Sequence, residues 1–157
     1  MTALPPKDDR YFEDYPQGAP IELGTLCVSK EEVIAFAERY DPQAFHIDEQ
    51  AADASHFGGL IASGWHTGSM FMRVLVDEFV SPVAGMGSPG IDELRWLEPV
   101  RPDDVLSVRV TVTEKRRSRT KPDRGIMKTF GEVTNQRGVT VMTIHAMSMV
   151  RCREVKI

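Results

Sequence analysis

The amino-acid sequence predicts an α+β fold in which one long antiparallel sheet covers one buried helix. Three observations predict it. A helical segment near residues 64–79 is apolar on most of its sides, which is typical of a buried helix. The second half of the chain contains several segments that read as strands, one of them with the strict alternation of a half-buried strand. A buried helix followed by a meander of long strands is typical of the α+β class.

The first elements are an arm, a strand and an amphipathic helix. Residues 1–20 are polar and contain four prolines, so we expect an extended N-terminal arm. Residues 21–29 follow as a first strand. Ser29 is placed to cap a helix, and Glu32 three residues later completes the pattern of a capping box. The apolar face of this helix is predicted to consist of Val33, Phe36, Ala37 and Tyr40.

A short connection links this helix to the central one. Pro42 should end the first helix, because a proline disfavours the α conformation of the residue before it. Asp48 is placed to cap a short second helix that ends at Ala54. Residues 56–64 form a glycine-punctuated loop before the central helix, which should end near residues 81–82.

The remaining elements are strands. IDELRWLEPV comes first and is followed by a turn at RPDD. In residues 106–113 every second residue is Leu or Val, which predicts a half-buried strand. GIMKTFGEVT and VTVMTIHAMSMV follow, joined by NQRG as a hairpin. His145 lies in the last strand on the face that carries Val141 and Met147, so we expect it to be a core residue.

Length, charge and cysteine content restrict the class of protein. A chain of 157 residues is expected to form one domain, residues 1–157. A net charge of -4 argues against nucleic acid as a partner. Cys27 and Cys152 have no metal-type spacing, which favours a reducing compartment. There is no signal-peptide pattern and no apolar run long enough for a membrane span. We therefore expect a soluble cytoplasmic protein.

The main functional signal is the pair Asp41 and His46. Either residue alone is most often structural, but Pro42 limits the backbone and the spacing lets both side chains converge on one small volume. A carboxylate and an imidazole around one water molecule are what acid–base addition of water requires. A metal site would have to be drawn from Asp41, His46, Asp48 and His56. Their spacing is not a recognised ligand pattern, so we expect no metal.

The segment YDPQAFHIDEQAADASHFGGLIASGWHT, residues 40–67, resembles the hydratase motif of the MaoC-like dehydratases, the (R)-specific enoyl-CoA hydratases of the hot-dog fold. The resemblance implies a long sheet wrapped around a central helix and homodimers joined through sheet edges; larger assemblies are compatible with it. It also implies reversible hydration of a trans-2-enoyl-CoA to an (R)-3-hydroxyacyl-CoA. No cofactor is implied, because coenzyme A enters as part of the substrate.

The same resemblance assigns three catalytic roles. Asp41 would activate the water, His46 would share that water and move a proton to or from the substrate, and the backbone N–H of Gly64 would polarise the thioester carbonyl. An unpaired N–H at a helix N-terminus has the positive partial charge for this role. The implied substrate-binding residues are Phe45, Ser63, Trp65 and His66.

The sequence departs from the family's usual pattern at two places. Gln43 stands where asparagine is usual, and the proline has moved next to Asp41. Ser63 stands before Gly64 where histidine is often found, while His66 appears two residues after that glycine. These departures bear on substrate preference more than on the chemistry.

Two other functions and two other features stay open. A hot-dog acyl-CoA thioesterase and a non-catalytic acyl-CoA-binding protein share the implied fold, but neither requires the pair Asp41 and His46. The basic segment EKRRSRTKPDRG, residues 114–125, is either a solvated loop or a contact for the phosphates of coenzyme A. Several methionines are expected in the core, since methionine fills irregular gaps: Met70, Met72, Met142, Met147 and Met149.

Overall fold

A computed structural model describes residues 3–155 and contains one five-stranded antiparallel sheet. In chain order its strands are β1 (Pro20–Cys27), β2 (Gly90–Trp96), β3 (Val105–Arg117), β4 (Arg124–Thr134) and β5 (Thr140–Arg151). Their order across the sheet is β1-β3-β4-β5-β2, so β1 and β2 are the two edge strands. The predicted α+β class, with a meander of long strands after the helices, is confirmed.

Four helices lie between β1 and β2 in the sequence. They are α1 (Lys30–Tyr40), α2 (Ala44–Ile47), α3 (Glu49–Ala54) and α4 (Gly64–Glu78). Ser29 caps α1 by accepting a hydrogen bond from the N–H of Glu32, as predicted. Tyr40 was predicted on the buried face but is 63% exposed, because its ring packs on Phe36 at the surface.

The core lies between the sheet and α4. The alternation predicted for residues 106–113 in β3 is confirmed, because every second residue there is at most 1% exposed: Leu106, Val108, Val110 and Val112. α4 begins at Gly64 as predicted, but it is buried on one side only. Its buried side includes Met70, Phe71 and Val74. Trp65, Met72 and Val76 are between 45% and 60% exposed, so the prediction of a helix buried nearly all round is wrong for this single chain.

The prediction of an extended N-terminal arm is wrong. Two 3₁₀ turns form at Lys7–Asp9 and Phe12–Asp14. Phe12 and Tyr15 are 5% and 2% exposed and belong to the core cluster. Prolines and charges suggested exposure, but these two aromatic rings bury the segment against the sheet and α4.

Arg10 fixes the same segment to the end of α4. Its guanidinium donates hydrogen bonds to the carbonyl oxygens of Glu78 and Phe79, each at 2.9 Å. These carbonyls belong to the last turn of the helix, where no intrahelical donor is left for them. Arg10 is thus buried because it binds the end of a helix almost 70 residues away in the sequence. No local sequence pattern reveals this contact.

A bulge in β5 overturns the prediction for His145. Met142 pairs with Val133 and Thr140 pairs with Thr134, so Val141 is an extra residue in the ladder. An extra residue reverses the side on which the following side chains point. His145 is therefore exposed and not in the core, and its Nε2 lies 3.8 Å from Glu93.

Candidate active site

The end of α1 positions Asp41. The N–H of Asp41 donates to the carbonyl oxygen of Ala37 at 2.8 Å, which is the last bond of the helix. Pro42 prevents a further turn, so Asp41 adopts φ -152° and ψ 66° and turns away from the helix axis. Gln43 then precedes α2 (Ala44–Ile47), a single turn too short to be predicted from periodicity. This turn brings His46 back towards Asp41.

His46 is held between two oxygen atoms. The residue is 4% exposed, and its Nδ1 lies 2.7 Å from the carbonyl oxygen of Ile61. A carbonyl oxygen only accepts, so Nδ1 carries a proton. Nε2 lies 3.2 Å from Oδ2 of Asp41. A ring with a proton on each nitrogen satisfies both contacts, whereas a neutral ring leaves Nε2 free to accept a proton.

Asp41 receives two further hydrogen bonds. The hydroxyl of Ser63 donates to Oδ2 at 2.7 Å, and the side-chain amide of Gln43 donates to Oδ1 at 2.7 Å. The hydrogen bond from Ser63, followed by that from Gln43 and by the nearby His46, lowers the pKa of Asp41 below its usual value, although partial burial opposes this. The carboxylate is therefore ionised at neutral pH.

Gly64 begins α4 directly beside this pair. The carbonyl oxygen of Ser63 accepts the N–H groups of His66 and Thr67, and its hydroxyl accepts the N–H of Trp65. Among residues 3–155, the N–H of Gly64 has no hydrogen-bond partner. It is a free donor at the positive end of a helix of 15 residues.

These groups border an open pocket of about 500 Å³, a size typical of small-molecule sites. Phe45 and Trp65, two of the residues that the resemblance assigned to substrate binding, line this pocket. Sequence reasoning missed a second wall that comes from β2 and the segment after it, together with one residue of β5. That wall consists of Trp96, Leu97, Glu98, Pro99, Val100 and Val141. No local signal identifies it, because the sheet alone brings it to Asp41 and His46.

Two predicted substrate-binding residues have other surroundings. Ser63 borders the pocket but is 0% exposed, and its hydroxyl is occupied by Asp41 and Trp65, so it is not open to a substrate. His66 is outside the pocket, because successive residues of a helix point about 100° apart. Its ring stacks on Phe36 of α1 with centroids 4.9 Å apart. Its Nδ1 has no partner in the described part of the chain, and burial lowers the pKa of this histidine.

A second, apolar cavity of about 410 Å³ lies between α4, β2 and β5. Trp65 lines both cavities, so the two adjoin at this residue. The predicted methionine cluster is divided between the core and this cavity. Met70 and Met142 are core residues, whereas Met72, Met147 and Met149 line the cavity.

The basic segment 114–125 contributes no residue to the lining of the pocket. Lys115 donates to the carbonyl oxygens of Phe12 and Tyr15 at 2.9 and 2.7 Å. These contacts fasten the N-terminal segment to the sheet, which favours a structural role over contact with coenzyme A at the same chain's pocket.

Metal-binding groups and membrane-spanning helices are both absent from residues 3–155. No group of three or more His, Cys, Asp or Glu side chains is arranged to hold a metal ion in that range. No helix there is both long enough and apolar enough to cross a membrane.

Comparisons with known proteins give consistent matches. The family model of the MaoC like domain matches residues 13–133. The uncharacterized protein YdeM of Bacillus subtilis is 30% identical over 130 residues, which cover 83% of this chain and 91% of YdeM. The crystal structure of a MaoC-like dehydratase from Rhodospirillum rubrum has a TM-score of 0.84 and 38% identity, over 92% of this chain and 98% of that one. The (R)-hydratase PhaJ1 of Pseudomonas aeruginosa has a TM-score of 0.72 at 24% identity, over 91% of this chain and 86% of that one, and shows the likeness of fold.

Proposed function

Because this chain belongs to the MaoC-like dehydratase family and has its hot-dog fold, we propose that it adds water reversibly to a trans-2-enoyl-CoA to give an (R)-3-hydroxyacyl-CoA. The observation that carries the proposal is the contact of 3.2 Å between Asp41 Oδ2 and His46 Nε2. This pair borders an open pocket and adjoins the free N–H of Gly64. Asp41 would accept a proton, His46 would donate one, and the N–H of Gly64 would bind the developing oxyanion.

In the direction of hydration, a water molecule lies between the two side chains and the substrate. Asp41 accepts a proton from this water while the water oxygen forms a bond to C3 of the enoyl thioester. The electrons of the double bond move towards the thioester oxygen, and C2 then receives a proton from protonated His46. Ile61 keeps the ring of His46 oriented throughout, because its carbonyl oxygen holds Nδ1.

The negative charge that develops on the thioester oxygen needs a donor. The N–H of Gly64 is available for this contact, and the N-terminus of α4 adds positive partial charge. Such a contact strengthens as charge develops, so it lowers the barrier more than it tightens substrate binding. Addition of water leaves the overall oxidation level unchanged, and the proposed reaction therefore requires no redox cofactor.

The apolar cavity beside the pocket suits the acyl chain of such a substrate. It adjoins the pocket at Trp65, and its walls are predominantly aliphatic and aromatic side chains from α4, β2 and β5. A chain that extends from the thioester past Trp65 would bury apolar surface at about 25 cal/mol per Å². The polar pantetheine end would then leave through the open side of the pocket.

We also propose a homodimer joined through β2. One edge of β2 pairs with β5, and its other edge has no strand partner among the described residues. Unpaired strand edges bind further strands readily. Ile91 and Trp96 on β2 and Met72 on α4 are 44–52% exposed. A second copy would cover both the edge and this apolar surface.

A panel of thioesters tests the proposal. The purified protein is incubated with 2-enoyl-CoA and saturated acyl-CoA compounds of several chain lengths. Hydration is followed by loss of enoyl absorbance, and hydrolysis is followed separately by release of free thiol. We expect hydration without thiol release. Thiol release from saturated substrates would instead indicate a thioesterase, and binding without either reaction would indicate a non-catalytic acyl-CoA-binding protein.

A further inference from the structure

We propose that Ser63 is a positioning residue for the hydration reaction: its buried hydroxyl holds the carboxylate of Asp41 ionised and in a fixed rotation beside His46. This role rests on the proposed function, because it concerns the group that accepts the proton from water. It differs from the role in substrate binding that the sequence had suggested for Ser63.

The direction of the hydrogen bonds follows from the groups involved. A backbone N–H only donates, so the hydroxyl oxygen of Ser63 accepts from Trp65 at 3.3 Å. An ionised carboxylate only accepts, so the single hydroxyl proton of Ser63 points to Oδ2 of Asp41 at 2.7 Å. Ser63 is 0% exposed, so no water can exchange with it in this arrangement.

The two hydrogen bonds to Asp41 come from different parts of the chain. Gln43 is exposed and lies two residues from Asp41 on the same connection, so it moves with that connection. Ser63 lies 22 residues away and caps α4. Of the two hydrogen bonds to Asp41, it is therefore the one from Ser63 that ties the end of α1 to the beginning of α4.

This tie fixes the geometry between two catalytic groups. Ser63 is bonded covalently to Gly64, whose N–H is the proposed oxyanion donor. The distance from the carboxylate to that N–H is then set by one serine side chain and one peptide link. A carboxylate free to rotate would accept the proton from a less favourable direction, and reaction rates depend strongly on such alignment.

The same hydrogen bond has a measurable effect on protonation. It is the largest cause that lowers the pKa of Asp41. A base must be ionised to accept a proton, so activity falls as the pH decreases through the pKa of Asp41. Removal of the hydroxyl raises this pKa, and the acidic limb of the pH–rate profile then moves to higher pH.

Ser63→Ala and a matched control, Ser29→Ala, separate this role from helix capping. The hydroxyl of Ser29 caps α1 by accepting an N–H at 3.3 Å and donates to the carboxylate of Glu31 at 3.0 Å, remote from the pocket. Both substitutions thus remove a cap and a hydrogen bond to a carboxylate. We expect only Ser63→Ala to lower kcat, by about tenfold, to leave KM within about twofold, and to move the acidic limb upwards.

A second variant and a second measurement keep the test of Ser63 decisive. Ser63→Cys retains a group of similar shape that donates weakly, so its effects should lie between those of serine and alanine, and it substitutes for Ser63→Ala if that variant does not fold. Carbon NMR of the labelled Asp41 carboxyl group follows its titration without any substrate. We expect a higher pKa in Ser63→Ala than in the unchanged protein.

The outcomes distinguish the two proposals. An unchanged protein that hydrates no enoyl-CoA contradicts the proposed function, while the NMR titration still tests Ser63. An active protein whose pH–rate profile and Asp41 titration are the same with and without the hydroxyl overturns the role of Ser63 alone. A loss confined to KM would also overturn it, because it would indicate contact with substrate.

Discussion

The indole ring of Trp96 lies directly against the α carbon of Gly64, so that even a methyl group at position 64 would overlap it. The backbone of Gly64 is outside the left-handed region, so alanine is acceptable there conformationally. We therefore expect Gly64→Ala to fold but to displace the indole and the helix N-terminus. Steady-state kinetics should show kcat reduced by about tenfold or more, at least as much as KM is raised.

Two variants test the cause of this loss. Gly64→Ala combined with Trp96→Ala removes the overlap and should recover part of kcat. Gly68→Ala, one turn further along α4, meets no atom within 4 Å and should raise stability by about 0.5–1 kcal/mol. Wild-type turnover in a folded Gly64→Ala protein would show that Trp96 and the Gly64 N–H do not define the reaction geometry.

The acid–base pair should be indispensable for turnover. We expect Asp41→Asn and His46→Gln each to lower kcat by about a hundredfold or more, the usual size of one acid–base contribution. Asp48→Asn is the control, because the side chain of Asp48 caps α3 and asparagine is an equally good cap. Circular dichroism is the control for folding, and we expect all three variants to fold. Substantial hydration by either pair variant would exclude its acid–base role.

The free edge of β2 should mediate self-association. Sedimentation at micromolar concentration is expected to give a dimer. Ile91→Arg introduces a charge at an exposed position of this edge strand. A charged side chain on an edge strand opposes pairing with another strand, so this variant should shift the equilibrium towards monomer. Thr25→Arg makes the same change on β1, the opposite edge strand, and should leave the dimer intact. A monomeric unchanged protein would contradict the proposed assembly.

His66 should make the fold sensitive to mild acid. Burial holds the pKa of His66 below the ordinary value of 6.5, although Glu32 opposes this. As the pH falls below 6.5, the unfolded chain binds a proton at this histidine before the folded chain does. The free energy of unfolding therefore decreases from that pH downwards until the lower, folded pKa has been passed.

His66→Phe removes the titrating group and can still stack on Phe36. Urea unfolding between about pH 7 and about pH 5 should show a smaller loss of stability for this variant than for the unchanged protein. His145→Phe, which changes an exposed histidine, should retain the full loss. Equal pH dependence in all three proteins would show that His66 contributes nothing to acid sensitivity.

Local chemistry explains which parts of this protein could be predicted from its sequence. The positions of Asp41 and His46 depend on Pro42 and on the three residues that follow it, so their proximity follows from a short segment. The alternation in β3 is equally local. Trp96 reaches the pocket only because β2 pairs with β5, and Arg10 is buried only because α4 ends above it. His145 was misplaced because one bulged residue, Val141, reverses the pattern after it.

The order of strands has a consequence for synthesis of the chain on the ribosome. β2 is made before β3 and β4, yet its partner β5 comes last, since Gly90 pairs with Met147 and Trp96 with Met142. At about 5–20 residues per second, roughly 50 residues take several seconds to add. During that interval β2 has no strand on either side, and its apolar side chains are open to other nascent chains. The sheet can thus be completed only after the last strand has been made, and crowding of ribosomes on one message would bring such exposed β2 segments close together.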